Sequence, residues 1–209
     1  MQFDRAGFAK KFDVSRETMD WFDTYEALLG KWNPKINLVA DSTLGEAWHR
    51  HFADSAQIWA HSPINAKLWL DFGSGAGFPG LVNAIIAWEK RPEMQFVLVE
   101  SDQRKCAFLL TAAREMGLSI KIESGRIEAL PQINADVITA RAVAPLDRLL
   151  DLSHLHAHKS TVLLFPKGNS YESELTAAQK HWHIEGKTIR SLTDSNSVIL
   201  RIEEFERAE

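Results

Sequence analysis

From Ser15 onward apolar residues recur every three or four positions: Met19, Phe22, Tyr25, Leu29 and Trp32. That spacing lays one apolar face along a helix, and it predicts a helix that Pro34 ends, because proline removes a backbone donor and crowds the preceding turn. After Asn33-Pro34 and a short irregular link at 36–39, Thr43 and Glu46 have the spacing of a capping box and predict a second helix running toward Trp59. Its middle, residues 48–55, crowds two histidines, Arg50 and Asp54 where a packing helix would carry Leu, Ala and Lys. Ser62, Pro63 and Asn65 mark a boundary, so residues 1–64 are expected to form an N-terminal helical extension and 65–209 the main domain.

From Lys67 the pattern changes to strand and helix in alternation, which implies a parallel sheet with helices on its faces. Strands are expected at 68–71, 95–100, 118–123, 136–140 and 161–165, and helices at 81–88, from Ser101 or Asp102 to Gly117, at 145–156 and at 171–182. The alternating segments 183–190 and 197–203 have no helix between them. A parallel crossover is then impossible, so they must be antiparallel. The predicted fold is α/β and Rossmann-like, a seven-stranded, mostly parallel sheet whose last strand is antiparallel.

The stretch 68–80 (LWLDFGSGAGFPG) reads as strand, glycine loop and helix start. Glycines at this spacing let the chain turn sharply and bring backbone N–H groups against a ligand that any Cβ would push away. A nucleotide-like cofactor is expected there. Gly75, Gly77 and Gly80 satisfy the G-x-G-x-x-G spacing of dinucleotide folds, so a nicotinamide-dependent oxidoreductase is one reading. Asp71, two residues before Gly73, completes a D-x-G-x-G-x-G pattern that resembles the first motif of S-adenosylmethionine-dependent methyltransferases. A carboxylate there can act on the ammonium of a methionine moiety, directly or through water, but would repel a pyrophosphate.

Composition narrows the picture without deciding it. The 209 residues are 45% hydrophobic and 25% charged, the balance of an ordinary globular protein. A single cysteine, Cys106, excludes an intrachain disulfide and sits among apolar neighbours as a core residue. Residues 1–12 carry Asp4, Arg5, Lys10 and Lys11 and predict neither signal peptide nor anchor, and no apolar run is long enough to span a bilayer, so a cytoplasmic, non-membrane protein is expected. The net charge of −4 argues against a broad basic surface, so any nucleic acid must be met by a local patch. Nothing predicts an obligate interface, and a monomer is expected.

Ligands of open α/β sheets lie over the carboxyl ends of the strands. Gly73 and Phe78 belong to the loop. Glu100, about 20 residues beyond it, can accept both hydroxyls of a ribose, which either cofactor carries. Ile127 and Glu128 fall where an adenine could be flanked and met by a backbone N–H, and Arg141 lies closest to where a methyl group would leave. The alternating His154, His156 and His158 lack matched carboxylates or cysteines, so no metal is expected. Trp21, Trp32, Trp48 and Trp59 could stack bases but are better read as packing of the helical extension. The chain lacks an Asn-Pro-Pro-Tyr or Asp-Pro-Pro-Tyr segment to hold an exocyclic amine and a Pro-Cys nucleophile for carbon methylation, which leaves an acceptor with its own lone pair, such as nitrogen-7 of guanine.

The stretches KWNPKINLVA (31–40), RHFADS (50–55), LDFGSGAGFPG (70–80), LVESDQRKCAFL (98–109), GRIEAL (125–130), ARAVAPL (140–146) and PKG (166–168) together resemble the bacterial 16S rRNA small-subunit methyltransferase G family, also called glucose-inhibited division protein B. The resemblance covers nearly the whole chain. It implies a class I methyltransferase fold and methylation of nitrogen-7 of a guanine in the decoding region of 16S ribosomal RNA, on the RNA or the small ribosomal subunit. It also implies S-adenosylmethionine bound by Gly73, Phe78, Glu100, Ser101, Ile127, Glu128 and Arg141. Arg141, His51 and Lys167 are the expected catalytic residues, with Arg50 and Asp54 beside them on the substrate side. One departure is visible: the family usually has Arg-Ala-Glu where this chain has Arg126-Ile127-Glu128. A non-catalytic ribosome-assembly factor is the remaining alternative.

Overall fold

The largely apolar run at 68–72 forms an inner strand of one sheet. The computed structural model describes residues 2–208. Its strands are β1 (Leu68–Phe72), β2 (Gln95–Glu100), β3 (Lys121–Ser124), β4 (Ala135–Thr139), β5 (Ala157–Lys167), β6 (Trp182–Arg190) and β7 (Val198–Arg207), in the order β3-β2-β1-β4-β5-β7-β6. β1 pairs parallel with β2 and β4, and β7 inserts antiparallel between β5 and β6. The helices are α1 (Arg5–Phe12), α2 (Arg16–Ile36), α3 (Asp41–Leu44), α4 (Asp54–Ala56), α5 (Gly80–Lys90), α6 (Gln103–Glu115), α7 (Leu146–His154) and α8 (Tyr171–Ala178). A π-helical turn, Trp48–Ala53, leads into α4.

Alternation along the inner strands divides the core between the two faces. Trp69, Phe96 and Leu98 join the cluster that holds Phe22, Tyr25 and Phe52 of the N-terminal segment, with Leu81 and Phe108 of α5 and α6. Leu70, Val97 and Val99 join the opposite cluster, with Leu149 of α7 and Ala178 of α8. The N-terminal helices therefore bury their apolar faces against the sheet and its helices. The four tryptophans named above follow the packing reading: Trp48 meets Phe8 and Phe52 edge-on, Trp32 meets Phe108, Trp21 lies against Trp88, and Trp59 stacks on Trp69.

Several boundaries differ from the sequence reading. Pro34 lies inside α2, and the helix runs on to Ile36. Proline in the last turn removes one hydrogen bond, while Asn33 holds the turn together: its carbonyl accepts from Asn37 N–H at 3.0 Å and its side-chain oxygen from Val39 N–H at 2.8 Å. The capping box at Thr43 does not form. The Thr43 hydroxyl is committed to the Ala40 carbonyl at 2.7 Å and to His51 Nε2 at 2.8 Å, so the long second helix is replaced by α3, the π turn and α4. β5 starts at Ala157 and includes Pro166 and Lys167, which were expected in a loop, because they pair with Ile199 and Val198 of β7. β3 begins at Lys121 rather than 118, since Leu118 N–H still returns to the α6 carbonyl of Ala113 after the left-handed Gly117.

Candidate active site

Gly73, Gly75 and Gly77 follow β1 with φ of +66, +57 and +95°, backbone that side-chain-bearing residues rarely adopt. At Gly77 a Cβ would lie 2.6 Å from Tyr25 Oη and 2.7 Å from Leu81 Cβ. The glycine is needed there because α2 presses on the loop. Tyr25, fully buried, donates its hydroxyl proton to the Ala76 carbonyl and stacks on Phe78 with ring centres 5.4 Å apart. The sequence reading took Tyr25 only as part of an apolar helix face. The signal it missed is the phenol, since a buried tyrosine must place its hydroxyl on a partner.

Asp71 lies beneath the glycine loop. It is fully buried, accepts from the Thr139 hydroxyl at 2.6 Å, and lies so close beneath Gly80 that a Cβ there would meet its carboxylate at 2.6 Å. Trp69 Nε1–H donates in turn to Thr139 at 2.9 Å. Burial pushes the Asp71 carboxyl up to about 6, with the Thr139 hydrogen bond opposing. Its place is under the loop, tying β1 to β4 and to the start of α5. Neither the Trp69 nor the Thr139 contribution was visible without the strand pairing.

Glu100 ends β2 almost buried, with Oε2 accepting from Gly75 N–H and Oε1 from Asp102 N–H, both at 2.8 Å. Each oxygen keeps a lone pair for a further donor. Beside the loop opens a 240 Å³ cavity lined by Gly73, Ser101, Ile127 and Glu128. Four expected cofactor residues thus share one slot. Ile127 packs its side chain into the core on the α7 face, and its carbonyl accepts from His156 Nε2 at 3.0 Å. His156 therefore braces the slot, while His158 pairs with Asp136 at 3.0 Å and His154 packs edge-on to Trp182. The Phe78 ring is buried and serves as a platform, stacked under His51 at 5.0 Å with the Arg141 guanidinium 4.9 Å above its centre.

Arg141 follows β4 and donates from Nη1 to Asp54 Oδ2 at 3.1 Å. Its Nη2 lies 3.5 Å from His51 Nδ1. The Thr43 hydroxyl gives its proton to Ala40, so it accepts from His51 Nε2–H, which leaves Nδ1 as an acceptor toward the guanidinium. Burial, with Arg141 and Arg50 nearby, lowers the His51 pKa to about 3. His51 is a neutral imidazole that orients its neighbours. Lys167 lies on the far wall, its ammonium paired with Glu174 at 2.7 Å and donating to the Ala144 carbonyl at 3.1 Å.

Residues 141–144 border three cavities: the 240 Å³ slot, a 500 Å³ cleft between Arg141 and Lys167, and a 350 Å³ cavity lined by Thr43, Arg50 and His51. Within this wall Ala142 is left-handed, at φ +56°. The expected residues lie over the carboxyl ends of β1 to β5, joined by His51 from the π-helical turn, with Arg141 between the 500 and 350 Å³ cavities. Among the described residues no helix is long and apolar enough to cross a membrane, and no group of three or more His, Cys, Asp or Glu is placed to hold a metal.

Solved structures share this architecture. A SAM dependent methyltransferase from Aquifex aeolicus superposes with TM-score 0.60 at 12% identity, covering 85% of this chain and 97% of its own. The M. jannaschii protein TYW2, in complex with AdoMet, gives 0.55 at 14% identity over 84% of this chain and 80% of its own. At such identities the likeness is one of fold. Sequence relatives are much nearer. A Cereibacter sphaeroides protein named ribosomal RNA small subunit methyltransferase G is 49% identical over 192 residues, 92% of this chain and 93% of that one. One of the same name from Rhodospirillum centenum is 46% identical over 203 residues, 97% and 92% of the two chains. The family model for rRNA small subunit methyltransferase G matches residues 19–200, and with that span and these identities the chain belongs to this family.

Proposed function

We propose that this chain transfers the methyl group of S-adenosylmethionine to nitrogen-7 of a guanine in 16S ribosomal RNA, the guanine numbered 527. The observation that carries the reading is the Arg141 guanidinium, held by Asp54 at 3.1 Å between the 500 Å³ cleft and the 350 Å³ cavity, with Val143 and Ala144 of the same wall bordering the 240 Å³ slot. When bound, S-adenosylmethionine supplies an electrophilic methyl on a sulfonium. Gly73, Ile127, Glu128 and Ser101 line the slot that would hold its adenosine, and Glu100, with a free lone pair on each oxygen, would accept from its ribose. Gly73 brings bare backbone to the slot wall, where a Cβ would press on Val143 across it, so the residues present fit the group.

The cleft favours an acceptor that needs no deprotonation. Its carboxylates, Asp54 and Glu174, are each committed to a cation, Arg141 and Lys167. His51 is neutral but too weakly basic, at about 3, to take a proton near neutral pH. Nitrogen-7 of guanine has its own lone pair and attacks without a base. Catalysis then rests on proximity and alignment, worth up to about 7–11 kcal/mol. Arg141 orients the base, Phe78 and His51 hold Arg141, and Lys167 sets the far wall through Glu174.

The test is transfer of labelled methyl to small subunits from cells lacking this enzyme, compared with their stripped RNA. Label that yields strand scission after reduction and aniline treatment establishes nitrogen-7 guanine methylation, and the better substrate separates RNA from assembled subunit. A folded protein that labels neither, or binds RNA without transfer, would leave a non-catalytic assembly role.

A further inference from the structure

The loop 191–197, which joins β6 to β7 far along the chain, is fastened to the same turn that holds Arg141. Asp54 Oδ1 accepts from the Thr193 hydroxyl at 2.8 Å and from the Gln57 amide at 3.1 Å, while its Oδ2 accepts from Arg141 at 3.1 Å. Gln57, almost fully buried, also donates to Ser191 Oγ at 3.1 Å and accepts from Leu192 N–H at 2.8 Å. Since Thr193 gives its proton to Asp54, the 2.9 Å contact between Ser191 and Thr193 runs from the Ser191 hydroxyl. The result is one directed chain, Ser191 to Thr193 to Asp54, ending on the carboxylate that anchors the guanidinium. Such chains polarise one another and fix orientation more firmly than a lone pair of groups.

The same loop walls the acceptor side. Ser191 and Ser197 line the 500 Å³ cleft, and Thr193, Asp194 and Ser197 line the 350 Å³ cavity. Asp54 and Arg141 line both, so their ion pair is the partition between the two spaces. Resting on the methyl-transfer reading above, we propose that the loop 191–197 is the acceptor-side wall of the site, and that Thr193 and Gln57 are positioning residues that set Arg141 for the incoming purine through Asp54. They touch neither the cofactor slot nor its loop. Their contribution therefore falls on turnover with RNA and leaves cofactor binding unchanged.

Thr193→Val keeps shape and removes the donor, and Thr193→Ser keeps the donor. With small subunits as acceptor, Thr193→Val is expected to lower kcat about tenfold, the loss from one hydrogen bond to a charged group, with KM for S-adenosylmethionine unchanged. Thr193→Ser should return kcat to within about twofold of wild type, since the donor is retained. Gln57→Glu keeps the acceptor for Leu192 N–H but sets a second carboxylate against Asp54, so its kcat deficit should shrink as pH falls toward 5 and the introduced carboxyl is protonated. Wild-type kcat in Thr193→Val, a deficit that Thr193→Ser does not restore, or a deficit confined to KM for S-adenosylmethionine would overturn the proposal. A wild-type chain that labels neither subunits nor RNA overturns the methyl-transfer reading, and this inference with it.

Discussion

Arg141 and Asp54, 87 positions apart in the chain, meet at 3.1 Å with both side chains about four-fifths buried. The arginine leaves the end of β4 and the aspartate begins α4, so this contact joins the strand ends to the N-terminal helices between the 500 Å³ cleft and the 350 Å³ cavity. A paired guanidinium stacked on a buried aromatic ring is fixed in direction before any substrate arrives, which is the condition for preorganised electrostatic stabilisation.

Arg141→Ala should therefore lower kcat for methyl transfer by about 100-fold, in the range seen when one preorganised donor is removed. Affinity for S-adenosylmethionine should change only a few-fold. Arg141→Lys keeps the charge without the planar fork and should recover only part of the loss. Steady-state kinetics with isothermal titration of the cofactor separates the two quantities, and intact turnover in Arg141→Ala would remove it from the mechanism.

Tyr25→Phe deletes the hydroxyl that Ala76 accepts but keeps the ring on Phe78. The loss of one buried hydrogen bond, about 1 kcal/mol, should appear mainly as a several-fold rise in KM for S-adenosylmethionine, because the carbonyl belongs to the glycine loop. An unchanged KM with a lowered Tm would make Tyr25 a core residue only.

The loop glycines should not be equal. At Gly75 a Cβ would meet nothing closer than 3.8 Å, so Gly75→Ala should cost about 1–2 kcal/mol for the left-handed backbone alone. Gly77→Ala adds contacts at 2.6 and 2.7 Å with Tyr25 and Leu81. Overpacking of that kind costs about 1–3 kcal/mol more. Chemical denaturation of the two variants checks the order.

The His51 imidazole should stay neutral through the whole physiological range, because burial and the adjacent Arg141 lower its pKa to about 3. The unfolded chain binds that proton near 6.5, so the His51 contribution to stability is complete above about pH 6.5 and is lost as pH falls toward 3. Titration of the His51 ring signal by NMR reads this directly. A midpoint near 6.5 would return it to the list of proton carriers.

Much of this architecture is legible in the chain. Apolar periodicity placed all seven strands and the helix from Ser15, and the glycine loop, Glu100 and Arg141 were found from their positions at strand ends. Those features are local: a strand, a turn or a helix face is set by residues close in sequence, so its pattern is written there. Pro34 and the Thr43 capping box misled because hydrogen bonds outside the local pattern decided both: Asn33 holds the turn around Pro34, and the Thr43 hydroxyl is claimed by Ala40 and His51.

The partners themselves needed the folded chain. That Asp71 is covered by Gly80, that Tyr25 reaches Ala76, that Phe78 is a platform under His51 and Arg141, and that Thr193 closes on Asp54 are contacts between residues from 9 to 139 positions apart. Sequence by itself determined which chemistry the chain carries and the strand ends at which it gathers. Tertiary structure alone decided which groups are desolvated, which charges are paired and which way each hydrogen bond runs, because burial and pairing are properties of neighbours in space.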